Sequence, residues 1–206
     1  MLKDRKHIRL RNYDYSSDGW YFVTICTLDR ECCFGKIENQ MMYPSEIGIQ
    51  AELMWNEIPQ HFPTAELGVF VVMPNHIHGI IGIDNIGRVV ACNDLTIFIP
   101  TITPAIDRTD VACNIPTMPT PIISTMPPAK NEYMASISPK PGTLSTMLRS
   151  YKSAVTKWCN ENHISNFAWQ SRFHDHIIRN QEEFDRIENY ILNNVANWNS
   201  DKFYTE

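Results

Sequence analysis

The sequence predicts a small α/β protein in which a mainly antiparallel sheet carries helices on one face. Runs of β-branched and aromatic residues, which are typical of strands, occur at positions 20–27, 67–72 and 76–83. Apolar residues recur every three or four positions, as on one face of a helix, at 46–58, 143–162 and 181–198. A length of 206 residues with 43% hydrophobic residues is sufficient for one domain with a sizeable core.

The N-terminal part is predicted to contain a central strand, a short hairpin and a helix. Positions 20–27 form the strand, and 33–37 with 40–43 form the hairpin. Ser45 has a side chain that accepts hydrogen bonds from the first backbone amides of a helix, so we expect the helix to begin after it. The apolar positions at helical spacing are Ile47, Ala51, Leu53, Met54 and Ile58.

Two strands joined by a turn follow, and the second of them carries a pair of histidines. A Pro-Asn dipeptide interrupts the apolar run at 67–72, and the strand pattern resumes at 76–83. Because successive side chains of a strand alternate faces, His76 and His78 point to the same side. Two imidazoles on one face of a rigid strand form half of a site for a divalent metal. The alternative is a pair of partly buried histidines whose neighbours satisfy their hydrogen bonds.

The segment from 84 to 141 differs in composition from the rest of the chain. It is rich in Thr, Pro, Ile and Ser, poor in charge, and repeats the tetrapeptide VACN at 90–93 and 111–114. A structureless loop of this length is unusual inside a compact domain. We therefore expect one domain built from 1–83 and 142–206, with 84–141 as a low-complexity, largely disordered insertion.

Helical periodicity returns after the insertion. A helix is expected over 143–162, with three basic side chains on its solvent side, and short extended segments follow at 167–170 and 173–179. The basic side chains are Arg149, Lys152 and Lys157. The inward positions are Leu144, Met147, Leu148, Tyr151, Ala154, Val155 and Trp158.

The last predicted helix, 181–198, displays two polar groups one turn apart. Tyr190 and Asn194 are four residues apart and therefore lie on the same helix face. A phenol and an amide oxygen would thus be presented together. A tyrosine that only packs against other side chains is the commoner outcome for a helix of this kind.

The charge distribution is compatible with a partner that has a phosphate backbone. The net charge is −5, but basic residues concentrate in 1–11 and 143–179. Such a locally basic face can bind nucleic acid, and it can equally be ordinary solvated charge. The six cysteines show no CxxC spacing and no apolar run is long enough to cross a bilayer. We therefore expect reduced thiols, no membrane association and a cytoplasmic location.

Five phrases, in order, resemble the REP-associated tyrosine transposases, a bacterial group of the histidine–hydrophobe–histidine (HUH) single-tyrosine transposase superfamily. The phrases are WYFVT at 20–24, VVMPNHIHG at 71–79, LRSYKSAVTK at 148–157, WQSRFHDHIIR at 169–179 and YILNN at 190–194. The resemblance covers about 1–83 and 142–198. Five ordered phrases are more specific than an isolated His-x-His, so they favour the metal-site interpretation.

The resemblance implies roles for individual residues. His76 and His78 would bind a divalent metal, Mg²⁺ or Mn²⁺, and Tyr190 would be the nucleophile. Asn194 falls where active relatives tend to carry Gln, a further metal ligand, and an asparagine carbonyl could still reach a metal. A second His-x-His, at 174–176, is implied to be structural or DNA-contacting. The implied phosphate contacts are Arg149, Lys152, Arg172 and Arg179.

These features predict a broadly ferredoxin-like or RNA-recognition-like sandwich. The resemblance implies that it cleaves and rejoins single-stranded DNA at hairpins or repeats through a 5′-phosphotyrosine intermediate. No phosphate-binding loop or dinucleotide fingerprint points to a nucleotide cofactor. The main alternative is a domesticated, non-cleaving DNA- or RNA-binding regulator, and a weaker one is a metal-dependent hydrolase that uses water. The sequence does not determine the DNA target or whether the protein forms a homodimer. It also does not determine whether Tyr190 acts in its own subunit or in a partner's.

Overall fold

Four strands form one antiparallel sheet in the computed structural model, which describes residues 13–85 and 142–205. In chain order, the strands described are β1 (Gly19–Cys26), β2 (Gly35–Glu38), β3 (Met41–Pro44), β4 (Ala65–Met73), β5 (His76–Ile83) and β6 (His174–Ile178). The helices described are α1 (Glu46–Asn56), α2 (Ile58–His61), α3 (Leu144–Glu161) and α4 (Gln181–Leu192), with 3₁₀ turns at Leu28–Arg30 and Trp198–Ser200. Strands β2 and β3 pair with each other as a separate hairpin.

The main sheet has the strand order β4-β5-β1-β6, and every neighbouring pair is antiparallel. Helices α1 and α2 lie between β1 and β4 in the chain, and α3 lies between β5 and β6. A strand–helix–strand–strand–helix–strand order of this kind is the ferredoxin-like motif. The predicted fold class, a small α+β sandwich with a mainly antiparallel sheet, is therefore confirmed.

The first face of the sheet packs against α1 and α3. Trp55 of α1 and Tyr151 of α3 meet edge to face, with their ring centroids 5.3 Å apart. The residue after His78 is glycine because a Cβ atom at Gly79 would collide with the Trp55 indole. Leu53, which the helical spacing predicts to face inward, is 52% exposed. The strand residues that supply this core include Tyr21, Val23, Ile25, Ile77 and Ile81.

The second face of the sheet carries the histidines, and α4 packs on it as well. The sheet and α4 share a buried cluster formed by Ile80, Ile178, Ile187 and Ile191. The prediction that the sheet carries helices on one face only is therefore wrong for α4, which lies on the face of the histidines. The reason is that β1 and β5 also carry apolar side chains, Phe22 and Ile80, on the second face, so this part of the face needs a cover that excludes water.

Helix α4 ends at Leu192, six residues before the predicted end at 198. The side chain Nδ2 of Asn193 donates to Asn189 O at 2.7 Å, and its backbone N–H donates to the same oxygen at 3.1 Å. Asparagine side chains compete for backbone groups in this way and favour helix ends over helix interiors. The early end lets the chain turn back toward the sheet.

The predicted insertion at 84–141 lies outside the described residues, apart from Asp84 and Asn85, so the division into 1–83, 84–141 and 142–206 stays a prediction. The described residues all belong to one compact unit of the chain. Within 13–85 and 142–205, none of the helices combines the length and apolar character needed to cross a membrane.

Candidate metal and tyrosine site

His76 and His78 lie side by side on the second face of the sheet, as strand alternation predicts. The two side chains are 0% and 1% exposed, and their ring centroids are 4.5 Å apart. Strand β5 is an inner strand, and it places His76 opposite Cys26 and His78 opposite Thr24 of β1. An inner strand position holds both imidazoles rigidly, as a preorganised binding site requires.

One ring nitrogen of His76 is hydrogen-bonded and the other is not. Nδ1 lies 2.8 Å from Asn75 Oδ1, whereas Nε2 is buried and has no hydrogen-bond partner among the described residues. Burial, with smaller contributions from Lys202 and Arg30, lowers the pKa of His76 to about 3. The imidazole is therefore neutral near pH 7, so one of its nitrogens has a free lone pair.

His78 connects the strand to the helix that carries Tyr190. Its Nδ1 lies 2.9 Å from Thr24 Oγ1, and its Nε2 lies 3.2 Å from Tyr190 Oη. Burial, followed by the neighbouring His76, lowers the pKa of His78 well below its usual range. The structure thus brings the predicted nucleophile against one of the two predicted metal-binding histidines.

Tyr190 lies near the end of α4 and is 42% exposed. Its Oη lies 3.4 Å from Asp201 Oδ2 in addition to its contact with His78. Partial burial, followed by the charge of Asp201, raises the pKa of Tyr190 above its usual value. The phenol therefore carries its proton near pH 7 and needs a proton acceptor before it can act as a nucleophile.

Asp201 is a site residue that sequence reasoning missed. One ring nitrogen each of His76 and His78 and one carboxylate oxygen of Asp201 lie within 4.8 Å of one another. The carboxylate is fixed in place, because Oδ1 accepts a hydrogen bond from the Phe203 backbone N–H at 2.6 Å. Asp201 follows a 3₁₀ turn, where no periodicity marks a residue. Its only sequence signal is an acid shortly after the Tyr190 phrase.

Asn194, the predicted third ligand, lies beside this group. Its side chain is 2% exposed, and its Nδ2 donates to Asp201 Oδ2 at 3.4 Å. Its Oδ1 is buried and has no hydrogen-bond partner among the described residues. The position is compatible with a metal ligand, and the assignment of Asn194 as one stays a prediction.

The C-terminal residues cover the histidines. The Phe203 ring centroid lies 4.6 Å from that of His76 and 6.0 Å from that of His78. Two cations flank the same ring, with Arg30 Cζ 5.2 Å and Lys202 Nζ 4.6 Å from its centroid. This cover explains why both imidazoles are removed from solvent and why their pKa values fall.

The residues of this site fit a divalent metal ion. Two neutral imidazoles and one carboxylate form a mixed nitrogen and oxygen donor set, which first-row divalent metals accept. Buried polar atoms normally have a partner, yet His76 Nε2 and Asn194 Oδ1 have none among the described residues. A cation bound between them would be that partner.

Three of the four predicted phosphate contacts line one groove. Arg149, Lys152 and Arg172 border a groove of about 670 Å³ along the outer side of α3, together with Trp169. The Lys152 ammonium donates to the backbone carbonyls of residues 170 and 172, at 2.7 and 3.1 Å. Arg179 follows β6 and does not line this groove. Helix α3 packs on the first face of the sheet, so the groove and the histidines are on opposite sides.

The second His-x-His does not join the metal group. His176 Nε2 lies 2.8 Å from Glu183 Oε1, and His174 is exposed on the edge strand β6. This placement is consistent with the structural or DNA-contacting role that the resemblance implies.

Comparison with known proteins gives structural neighbours and one relative of similar length. The structure of a REP-associated tyrosine transposase bound to a REP hairpin is 17% identical over 91% of this chain and 73% of its own, with a TM-score of 0.49. The crystal structure of a provisionally named transposase from Deinococcus radiodurans is 14% identical over 90% of this chain and 95% of its own, with a TM-score of 0.35.

The relative is similar along its whole length. No protein-family model matches the chain. An uncharacterized protein of Haemophilus influenzae is 33% identical over 205 residues, which span 100% of this chain and 96% of that protein. With this identity and coverage, the chain belongs to the same family as the Haemophilus influenzae protein.

Proposed function

We propose that the chain is a REP-associated tyrosine transposase of the HUH superfamily, acting as a metal-dependent single-stranded DNA endonuclease and strand transferase. The observation that carries this proposal is the position of Tyr190 Oη, 3.2 Å from His78 Nε2 and 3.4 Å from Asp201 Oδ2. Tyr190 and His78 are 112 positions apart in the sequence. A tyrosine that only packed on the sheet would not need to contact two members of the candidate metal group.

In the proposed reaction, Tyr190 Oη attacks the phosphorus of a single-stranded DNA phosphodiester. The bond between phosphorus and the 3′ oxygen breaks, the 5′ phosphate becomes attached to Tyr190, and the 3′ oxygen takes up a proton to leave as a hydroxyl. The phosphotyrosine bond conserves the energy of the phosphodiester. Another 3′-hydroxyl can therefore reverse the step and join two strands without a nucleotide cofactor.

The side chains around Tyr190 supply a proton acceptor and metal ligands in this reaction, and Asp201 belongs to both groups. The raised pKa of Tyr190 requires a proton acceptor, and the Asp201 carboxylate lies within reach of Oη. His76, His78 and Asp201, with Asn194, would hold a divalent metal, Mg²⁺ or Mn²⁺. Such an ion supplies positive charge that offsets the charge developing on the phosphate oxygens. Without it, two neutral imidazoles and one carboxylate would not attract a phosphate.

The test uses end-labelled single-stranded hairpin DNA from repeats that flank the gene. The full-length protein is incubated with this DNA and Mn²⁺ or Mg²⁺, and the products are separated on denaturing gels. We expect a metal-dependent covalent protein–DNA adduct and a free 3′-hydroxyl end. Binding to several hairpins without cleavage would favour the non-cleaving regulator, and cleavage without an adduct would favour the hydrolase that uses water.

Asp201→Asn is expected to weaken Mn²⁺ binding by about 10-fold or more, because it replaces a charged oxygen ligand by a neutral amide of the same shape. Titration calorimetry of the full chain measures the affinity. Asp185→Asn, on the exposed side of α4, is the matched control. An unchanged affinity in Asp201→Asn together with a loss in Asn194→Ala would instead make Asn194 the third ligand, as the resemblance implies.

Replacing Arg149 and Arg172 together by Gln is expected to weaken hairpin DNA binding. Each lost phosphate contact should lower the slope of log affinity against log salt by roughly 0.7–0.9. Fluorescence anisotropy over a salt series measures both quantities. Lys36→Gln, on the β2–β3 hairpin, is the control. The Mn²⁺ affinity should not change, because the groove and the histidines are on opposite faces of the sheet. An unaltered salt slope would contradict the assignment of the groove.

A further inference from the structure

Asn75 occupies the turn between β4 and β5, and its side chain is fully buried at 0% exposure. Its Nδ2 donates to Phe203 O at 2.8 Å and to Arg30 O at 3.2 Å, and lies 3.3 Å from Thr205 Oγ1. Backbone carbonyl oxygens can only accept hydrogen bonds, so this end of the amide must be the nitrogen. Two carbonyl partners thus fix the orientation of the Asn75 amide.

The fixed orientation determines which nitrogen of His76 carries the proton. Asn75 Oδ1 lies 2.8 Å from His76 Nδ1, and an amide oxygen can only accept. A neutral His76 therefore has its hydrogen on Nδ1 and its lone pair on Nε2. Nε2 is the buried atom that has no partner among the described residues. A hydrogen bond on the far nitrogen commonly orients a histidine and sets the tautomer it offers to a metal.

The same amide also holds the segment that brings Asp201 to the site. Phe203 O, which accepts from Asn75 Nδ2, is two residues beyond Asp201. The backbone N–H of Phe203 donates to Asp201 Oδ1 at 2.6 Å. One side chain in the β4–β5 turn therefore contacts a candidate metal ligand on the sheet and the C-terminal residues that place another.

We infer that Asn75 is a positioning residue of the metal site: its oxygen sets the Nδ1–H tautomer of His76 and its nitrogen anchors the C-terminal segment that carries Asp201. The inference rests on the proposed function, because it assigns Asn75 to the support of the metal site proposed there. The amide oxygen and the amide nitrogen of Asn75 therefore have two separable effects, one on the tautomer of His76 and one on the position of Asp201.

The test compares wild type, Asn75→Ala and Asn75→Asp in the full chain. Long-range ¹H–¹⁵N correlation spectra of the metal-free protein report the tautomer of His76. We expect Nδ1–H in wild type, its loss in Asn75→Ala, and its return in Asn75→Asp, since a carboxylate also accepts from Nδ1–H. In titration calorimetry, the Mn²⁺ affinity of Asn75→Ala should fall about 10- to 100-fold. Asn56→Ala, a surface substitution on α1, is the control that should change neither result.

Two outcomes would overturn the inference. One is an Nε2–H tautomer in wild type, and the other is an unchanged tautomer and Mn²⁺ affinity in folded Asn75→Ala. If Asn75→Ala does not fold, loss of the Nδ1–H tautomer in Asn75→Asp also overturns the inference. Failure of wild type to bind Mn²⁺ would contradict the proposed function and with it the metal-site role of Asn75. The tautomer spectra need no metal, so they separate an error about the hydrogen bond from an error about the function.

Discussion

Tyr190→Phe is expected to abolish the covalent protein–DNA adduct and to slow strand cleavage by about 10³-fold or more. The substitution removes only Oη, the atom 3.2 Å from His78 Nε2. The ring and its edge contact with Phe22, at 6.1 Å between centroids, remain, and 42% exposure makes the cost in folding stability small. Denaturing gels and the mass of the adduct measure the effect in Mn²⁺.

Tyr204→Phe is the matched control for this experiment. Tyr204 is 39% exposed and packs on Trp198, and its hydroxyl is not among the atoms that we assign to the proposed reaction. The control should form the adduct at the wild-type rate. Cleavage that persists in Tyr190→Phe without any adduct would refute the tyrosine mechanism and identify a nuclease that uses water.

The parts of the site that the sequence could predict are those set by local periodicity. Two-residue alternation in β5 places His76 and His78 on one face whatever the rest of the chain does. Four-residue spacing places Asn194 near Tyr190. The two residues stay close although α4 ends at Leu192, because the backbone continues in hydrogen-bonded turns beyond that residue. The ferredoxin-like class follows from the order of strands and helices in the same way.

The parts that the sequence could not predict depend on contacts between distant segments. Asp201 lies in a tail without periodicity, and hydrogen bonds from the β4–β5 turn and from Phe203 bring it to the histidines. Lys152 has the spacing of a solvent-side cation, yet its ammonium donates to two backbone carbonyls, one of them that of Arg172. The sequence did not predict that α4 lies on the histidine face of the sheet. An amphipathic pattern shows which side of a helix is buried, but it does not show which surface of the protein that side packs against.

His76→Ala and His78→Ala are each expected to lower the Mn²⁺ affinity by more than about 100-fold and to remove metal-dependent cleavage. Each removes one of three candidate ligand atoms that lie within 4.8 Å of one another, and a site that loses an imidazole ligand holds the metal more weakly. Titration calorimetry measures the affinity. Because both side chains are buried, each variant also leaves a cavity, so thermal unfolding without metal must show that it folds.

His174→Ala is the matched control, because His174 also belongs to a strand His-x-His but is exposed on β6. It should bind Mn²⁺ as tightly as wild type. The groove that we assign to DNA lies across the sheet from His76 and His78, so their variants should still bind hairpin DNA. Loss of Mn²⁺ binding with hairpin binding retained would show that metal and DNA contacts are separate. A folded His76→Ala or His78→Ala that still binds Mn²⁺ like wild type would refute the proposed metal site.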